Sequence, residues 1–351
     1  MKYDFMKFCI NIKIMETKGK IILAITVIIL SALAFWGGWY YGHFTVPAGH
    51  GCKSEPMRQN GFKFVRPLLV CDTNSQKDLR DLAPLQKNLQ DIITEETKNG
   101  DITDASVYFQ DFNSDGRIDI NPDEQFNAAS IGKVAIMIAV LKMAQDDPGV
   151  LSQKIKNGGG DDANASQEIK PADWAKNGQI YTVGQLITLM IKNSDNNAFS
   201  LLESYASTAQ LGIVFKDLQI PFQFDPKQPE LYDFITTKEI SYLFRVLYNA
   251  TYLNNDLSDE TLAILNSCDY KNGLVAGVPS GTAVAHKFGL KTYVNDSNQV
   301  VKRELHDCGI IYHDKNPYLL CVMTKSASPI PNIENTIKKI SSAVYQFQDK
   351  R

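Results

Sequence analysis

The chain has 351 residues, enough for one large domain with chain to spare, and 36 basic against 39 acidic residues leave a formal net charge of -3. That balance, with no basic run interleaved with aromatics, argues against nucleic acid or another polyanion as a partner. The five histidines show no zinc spacing, there is no internal repeat at a solenoid period, and no metal or cofactor is expected.

The N-terminal region decides the compartment. Ile21 to Tyr41 is nearly free of charge and ends in an aromatic cluster of Trp36, Trp39, Tyr40 and Tyr41, a pattern suited to a bilayer span with an interfacial belt. Lys13, Lys18 and Lys20 precede the run, and no Lys or Arg follows before Lys53. The positive-inside rule then makes residues 1–20 a cytoplasmic tail, 21–41 an uncleaved single-pass anchor in the lipid bilayer, and the rest extracytoplasmic. A cleaved signal peptide has a shorter apolar region, of about 7 to 15 residues, and a small-residue cleavage site.

Beyond the anchor, residues 42–85 read as a stalk leading to a domain over 86–351. A helix is expected from Leu82 to Thr97, then strands over Ala105 to Phe112 and Arg117 to Asn121. Asp111, Asn113, Asp115 and Gly116 imitate the start of a calcium loop, but the twelfth position is Pro122, so a polar hairpin turn explains them better. Val134 to Met143 reads as a helix, and Asn157 to Gln167 as an exposed, mobile Gly, Asp and Asn loop. Val183 to Ile191 is amphipathic, Thr236-Thr237 opens a helix through Tyr248, and Ala283 to Phe288 alternates as a strand does.

Six cysteines are consistent with export. Cys9 precedes the anchor, Cys52 and Cys71 bracket a Gly, Pro and Arg-rich segment that a disulfide would staple, and Cys268 is left unpaired. Cys308 and Cys321 lie on the two strands of a hairpin turning at Asp314 to Pro317, where a disulfide and two buried thiols are equally compatible with the pattern.

Three short motifs carry chemistry. Ser130-Ile131-Gly132-Lys133 is the only Ser-x-x-Lys, at the start of an apolar helix, where residues three apart share a face and the helix N-terminus favours a developing alkoxide. Ser194-Asp195-Asn196 follows in a loop, and Lys287-Phe288-Gly289 ends the alternating strand. Taken singly, these read as a helix-start serine, a capping Asp-Asn pair and a surface lysine. Their order, with Phe126-Asn127-Ala128-Ala129 before the serine, resembles the class A β-lactamases and the related penicillin-binding proteins, from about Gln86 to the end.

The resemblance implies an α+β fold, with a five-stranded antiparallel sheet, flanking helices and a mostly helical subdomain. It also implies a serine hydrolase acting through a Ser130 acyl-enzyme on a β-lactam or a cell-wall peptide. By it Lys133 is the base, Ser194 relays a proton, Lys287 assists, and Asn196 holds the substrate amide and the Lys133 amine. The backbone N–H groups of Ser130 and of Leu290, after Gly289, form the oxyanion hole.

Two departures limit the analogy. Phe288 replaces the family's threonine, whose hydroxyl helps bind the substrate carboxylate, and Arg303 is no clear counterpart of the assisting arginine. The span from Phe222 to Phe234 is short and has Gln228 where the deacylating glutamate falls, leaving Asp225, Glu230 and Asp233 as substitutes. A penicillin-binding type of acyltransferase or hydrolase, a true β-lactamase, and a wall- or ligand-binding module with a retired site therefore all fit, while an anchored structural protein would leave the motif order to chance.

Overall fold

The two strands buried along nearly their whole length, Asp104–Asp111 and Tyr318–Ser326, lie side by side in the interior of an antiparallel sheet. In the computed structural model, which describes residue 26 and residues 29–36, 57–70, 75–114, 116–219 and 234–351, β3 (Asp104–Asp111), β4 (Arg117–Ile120), β9 (Val284–Val294), β10 (Val300–Ile311) and β11 (Tyr318–Ser326) form a five-stranded sheet in the order β4-β3-β11-β10-β9. After its first residue β3 is buried throughout, as a strand covered on both faces must be.

Alternation along each strand divides the interior into two cores. Val107, Phe109, Leu305, Leu320 and Val322 face Leu82, Leu85 and Leu89 of α1 (Ser75–Asn99) and Ile333, Ile337, Ile340 and Val344 of α8 (Ile330–Asp349). Tyr108, Cys308, Ile310, Leu319 and Met323 face the other way, toward the helical part of the chain. There α2 (Lys133–Asp146) is apolar nearly all round, with ten residues from Lys133 to Ala144 buried, so it runs through the middle of the helical layer instead of along its surface. Around it pack α3 (Val183–Lys192), α4 (Asn196–Ala206), α5 (Thr208–Asp217), α6 (Thr237–Tyr248) and α7 (Asn255–Asn266). Capping boxes Thr182/Gln185 and Thr236/Glu239 fix the starts of α3 and α6, as the side-chain-to-backbone exchange at a first turn requires.

Several expectations meet the structure directly. The α+β architecture with its five-stranded antiparallel sheet is present. The turn over Asp111 to Gly116 is a hairpin turn: the Asp111 carboxylate accepts from the Asn113 and Ser114 amides and from Arg351. Cys308 and Cys321 lie directly opposite each other on β10 and β11 and form a disulfide, while Cys268 is free and buried.

The stalk assigned to 42–85 differs in part. Residues 55–351 form one unit, and within it the short strands β1 (Met57–Arg58) and β2 (Leu68–Val70) seat on the domain. Phe64 and Val65 are buried in the first core, and their amides donate to Asp259 at the start of α7. Arg58 bonds the Phe112 and Arg66 carbonyls and Asn249. Gly and Pro spacing suggested an extended tether; the two buried apolar side chains make the segment part of the fold.

Residues 1–54 form a separate unit, in which 29–36 are helical, with Ile29, Leu30, Leu33, Phe35 and Trp36 exposed. Among the described residues no helix is long and apolar enough to cross a membrane. Most of the 21–41 run lies outside the described residues, as do the 1–20 tail, Cys9, Cys52, Cys71 and the Asp225, Glu230 and Asp233 carboxylates.

One glycine shows how tightly β9 and β10 are registered. Gly309 stands opposite His286, and a Cβ there would come within 2.4 Å of the His286 Cβ and 2.6 Å of the Ala285 carbonyl. Gly309→Ala should therefore destabilise the domain by about 3 kcal/mol through overpacking against backbone, measured as a lowered denaturation midpoint. An unchanged midpoint would mean that the β9–β10 pairing can open enough to admit a methyl group.

Candidate active site

The nucleophile candidate is held by a strained corner. β5 (Phe126–Asn127) leads into a 3₁₀ turn over Ala129–Gly132, and Ala129 takes a left-handed φ of 45° just ahead of Ser130. Such a backbone costs on the order of 1–3 kcal/mol and persists only where its surroundings over-determine it. Here they do. The Asn127 side chain accepts from the Ala129 amide, the buried Glu304 carboxylate accepts from the Asn127 amide, and His306 Nε2 donates to the Asn127 carbonyl.

That last contact fixes a tautomer, because His306 Nδ1 accepts from the Thr324 amide. Burial, outweighing the pull of Glu304, lowers the His306 pKa to about 4, so the ring is neutral. Its folded pKa lies below its unfolded value of about 6.5, and the sign follows: between pH 6.5 and 4 the unfolded chain binds a proton that the folded chain does not. His306 should then subtract up to about 1.4 kcal/mol of stability per unit of falling pH across that window, flattening below pH 4. Denaturant unfolding of the protein and of His306→Gln measures the difference, and equal slopes would show that the ring is not held neutral.

Lys133 is the first residue of α2 and only 3% exposed. Its Nζ donates to the Ser194 carbonyl at 2.7 Å and to Asn196 Oδ1 at 2.7 Å, with Ser194 Oγ at 3.5 Å. Burial first, and the charge of Lys287 second, push its pKa well below that of a free lysine. A neutral amine keeps two N–H donors and one lone pair, so these two acceptors occupy both donors and leave the lone pair to take a proton. No hydrogen bond joins Lys133 Nζ to Ser130 Oγ in this state.

Ser194 also has a left-handed φ, of 59°, which turns its carbonyl to Lys133 and its hydroxyl to Lys287. Lys287 Nζ, fully buried, donates to Ser194 Oγ at 3.0 Å and to the Phe288 carbonyl at 2.9 Å. Burial lowers its pKa to about 8 despite the opposing charges of Cys268 and Asp307. On the neighbouring strand β10, Asp307 bonds His286 Nδ1 at 2.7 Å and accepts from the Leu274 amide at 2.8 Å. Burial opposes the imidazolium, but Asp307 and then Cys268 outweigh it and raise His286 to about 10.

The sequence-selected residues therefore gather in one place. Ser194, Asn196, Lys133 and Lys287 form one hydrogen-bonded cluster. Gly289 lies against the nucleophile corner, since a Cβ there would sit 3.0 Å from the Ser130 and Ile131 amides. Leu290, the next residue on the edge strand β9, packs partly into the second core.

The loop over 157–167 is exposed at eight of its eleven positions, as expected, but two of its asparagines anchor it to the site. Asn157 and Asn164 within it are buried. Asp195, fully buried, caps α4 and accepts from Asn164 Nδ2 and the Ala175 amide, while Asn164 Oδ1 accepts from the Asn196 amide and from Gln167. Gln167 also reaches the Ser194 carbonyl at 3.3 Å. Glu168 bonds Thr292 on β9 and pairs with Arg303 on β10 at 2.9 Å, and Ile169 packs on Cys268, Tyr270 and Phe288. The loop thus ties the Ser-Asp-Asn wall to the Lys-Phe-Gly strand. Its Asn and Gln content was the available sign, since short amides hydrogen-bond loops as readily as they solvate them. Glu304 and His306 were signalled only as polar residues on inward positions of a buried strand.

Phe288 stacks on Tyr270 with centroids 4.1 Å apart, so no hydroxyl stands at the middle of the third motif. Arg303 is spent on Glu168 and the Ser328 carbonyl.

The family described as "Beta-lactamase enzyme family" (Beta-lactamase2) matches residues 84–348. The chain belongs to the Beta-lactamase2 family. It is a serine hydrolase of the β-lactamase and penicillin-binding-protein superfamily. This Beta-lactamase2 chain is similar in fold to PBP-A, at 20% identity over 83% of this chain and 100% of that one, with a TM-score of 0.63. A β-lactamase from Desulfarculus baarsii gives 20% identity, 75% and 98% coverage and a TM-score of 0.62. A class A β-lactamase representative from Bacteroides cellulosilyticus gives 18%, 76%, 99% and 0.63. No curated protein sequence matches the chain.

Proposed function

We propose that this Beta-lactamase2 protein is a membrane-anchored, extracytoplasmic acyltransferase or hydrolase of the penicillin-binding kind, acting on an amide of cell-wall peptide through a Ser130 acyl-enzyme. The observation that carries the reading is the single hydrogen-bonded cluster of Lys133, Ser194, Asn196 and Lys287 beside the strained Ser130 corner. Similarity of fold to a PBP-A variant solved as an acyl-enzyme complex with penicillin G, at 20% identity and a TM-score of 0.63, is in keeping with it.

In this reading the neutral Lys133 amine takes the Ser130 hydroxyl proton as Oγ attacks the acyl carbon. The carbonyl π electrons move to oxygen, which the Ser130 and Leu290 amides stabilise. Collapse expels the amine, which receives its proton through Ser194, and leaves an ester on Ser130. Water or an acceptor amine then takes the acyl group. A terminal carboxylate on the substrate finds neither a hydroxyl at Phe288 nor a disengaged Arg303, which favours an internal amide.

The test is mass spectrometry of the full chain after a fluorescent penicillin or a fluorophosphonate. The expected result is one adduct on Ser130, absent in Ser130→Ala. A label that survives Ser130→Ala but disappears in Ser194→Ala would transfer the nucleophile role, and no adduct with either probe would favour a retired binding site.

The anchor rests on the apolar run over residues 21–41 and the lysines before it. Protease added to spheroplasts should release or digest the domain while a tag at residue 1 stays protected. The reverse pattern would overturn the orientation.

A further inference from the structure

A cavity of about 510 Å³ opens on the same unit, lined by Arg58, Lys63, Arg66, Asn113, Tyr248 and His313 among others. Its three strong cations all come from residues 57–66, ahead of residue 84 where the family match begins. These cations therefore lie outside the stretch the family model matches, and none of the lining residues is one of those that form the Ser130 site. Against them the lining holds one acid, Asp314, in a chain whose overall charge is negative.

The donors are held in place. Arg58 is fixed by the Phe112 and Arg66 carbonyls and Asn249, over the stacked rings of Phe112 and Tyr248. Arg66 is half-buried, and its Nη1 donates to the Phe62 and Val65 carbonyls at 2.5 and 2.8 Å. A guanidinium has five N–H donors. The three on Nε and Nη2 of Arg66 meet no acceptor among the described residues, which is the edge that grips an oxyanion with two parallel bonds. Lys63 is exposed at the same opening, with its ammonium 5.0 Å from the Phe64 ring centre and no carboxylate partner among the described residues. The segment itself is rigid, since Asp259 takes the Phe64 and Val65 amides and the Tyr248 carbonyl takes the Arg66 amide.

We propose that this cavity binds the phosphate group of a phosphate ester, with Arg66 as the bidentate fork and Lys63 as the point charge. A preorganised guanidinium edge beside an ammonium matches a tetrahedral oxyanion of more than one charge better than a single carboxylate. The volume leaves room for the alcohol part of the ester. A soluble phosphate ester and a phospholipid headgroup present the same chemistry.

The experiment uses the full chain in phosphatidylcholine nanodiscs, titrated with sn-glycerol 3-phosphate and followed by calorimetry and by hydrogen exchange over residues 57–66. Binding should slow exchange there, weaken at higher salt, and fall about tenfold in Arg66→Gln and in Lys63→Gln, the loss of one charge-assisted contact. Ser130 labelling should be unchanged in both, so failure here is separable from failure of the hydrolase reading. In a second arm phosphatidylglycerol replaces part of the phosphatidylcholine. Protection of residues 57–66 that needs that lipid and Lys63 identifies a headgroup, and protection by glycerol phosphate alone identifies a soluble ester. Either supports the proposal. Absence of protection in both arms overturns it, as does equal binding by the wild type and Lys63→Gln, whose exposed side chain can change without unfolding the segment.

Discussion

Replacing Lys133 by Ala should lower the rate of Ser130 acylation by about 100- to 10,000-fold, the usual contribution of a positioned base. The expectation follows from burial. An ammonium 3% exposed beside a second buried lysine is disfavoured, so the amine is available as a base at neutral pH, and its two N–H groups are already taken by Ser194 and Asn196. Lys133→Arg should not restore the rate, because a guanidinium does not lose its proton in this range. The same cluster sets the pH profile. Lys287, held near pKa 8 among Lys133, Cys268 and Asp307, is charged below that value and neutral above it. If its charge holds Ser194 in place, acylation should fall as pH rises through about 8, and Lys287→Gln should abolish that limb. Single-turnover labelling from pH 5 to 10 reads both effects. A Lys133→Ala enzyme labelled within a few-fold of wild type would remove Lys133 from the mechanism.

Any β-lactam adduct on Ser130 should be long-lived. A water attacking the ester needs a base within hydrogen-bond reach, and without one deacylation slows by about 100- to 10,000-fold. The described carboxylates around the site are all engaged. Asp195 accepts from four donors around the loop and the start of α4. Glu304 holds the Asn127 amide and Lys302. Glu168 is tied to Thr292 and Arg303, and the Arg303 hydrogen bond, ahead of the cost of burial, lowers its pKa, which weakens it as a base. The remaining acids, Asp225, Glu230 and Asp233, lie outside the described residues. Nitrocefin turnover and the decay of the intact adduct by mass spectrometry decide the matter. Rapid turnover that is lost in Asp225→Asn, Glu230→Gln or Asp233→Asn would identify the base and make the protein a β-lactamase.

Periodicity alone determined much of the fold. The two-residue alternation over Ala283 to Phe288 marks β9 as a strand, and the nearly all-apolar run of α2 marks a helix buried on almost every side. The motif order, read with its flanking wording, was enough to reach the family. Local chemistry could not supply what depends on distant pairs. The Cys308–Cys321 disulfide required the β10–β11 register, which places those two residues opposite each other. Residues 57–70 looked like tether because Phe64 and Val65 have meaning only once α7 presents Asp259 and the core beside it. Above all, the Asn157 to Gln167 loop has the composition of a solvated turn. Whether its amides meet water or the buried Asp195 and the Ser194 carbonyl is decided by which surface the chain lays it on, a long-range matter on which sequence spacing is silent.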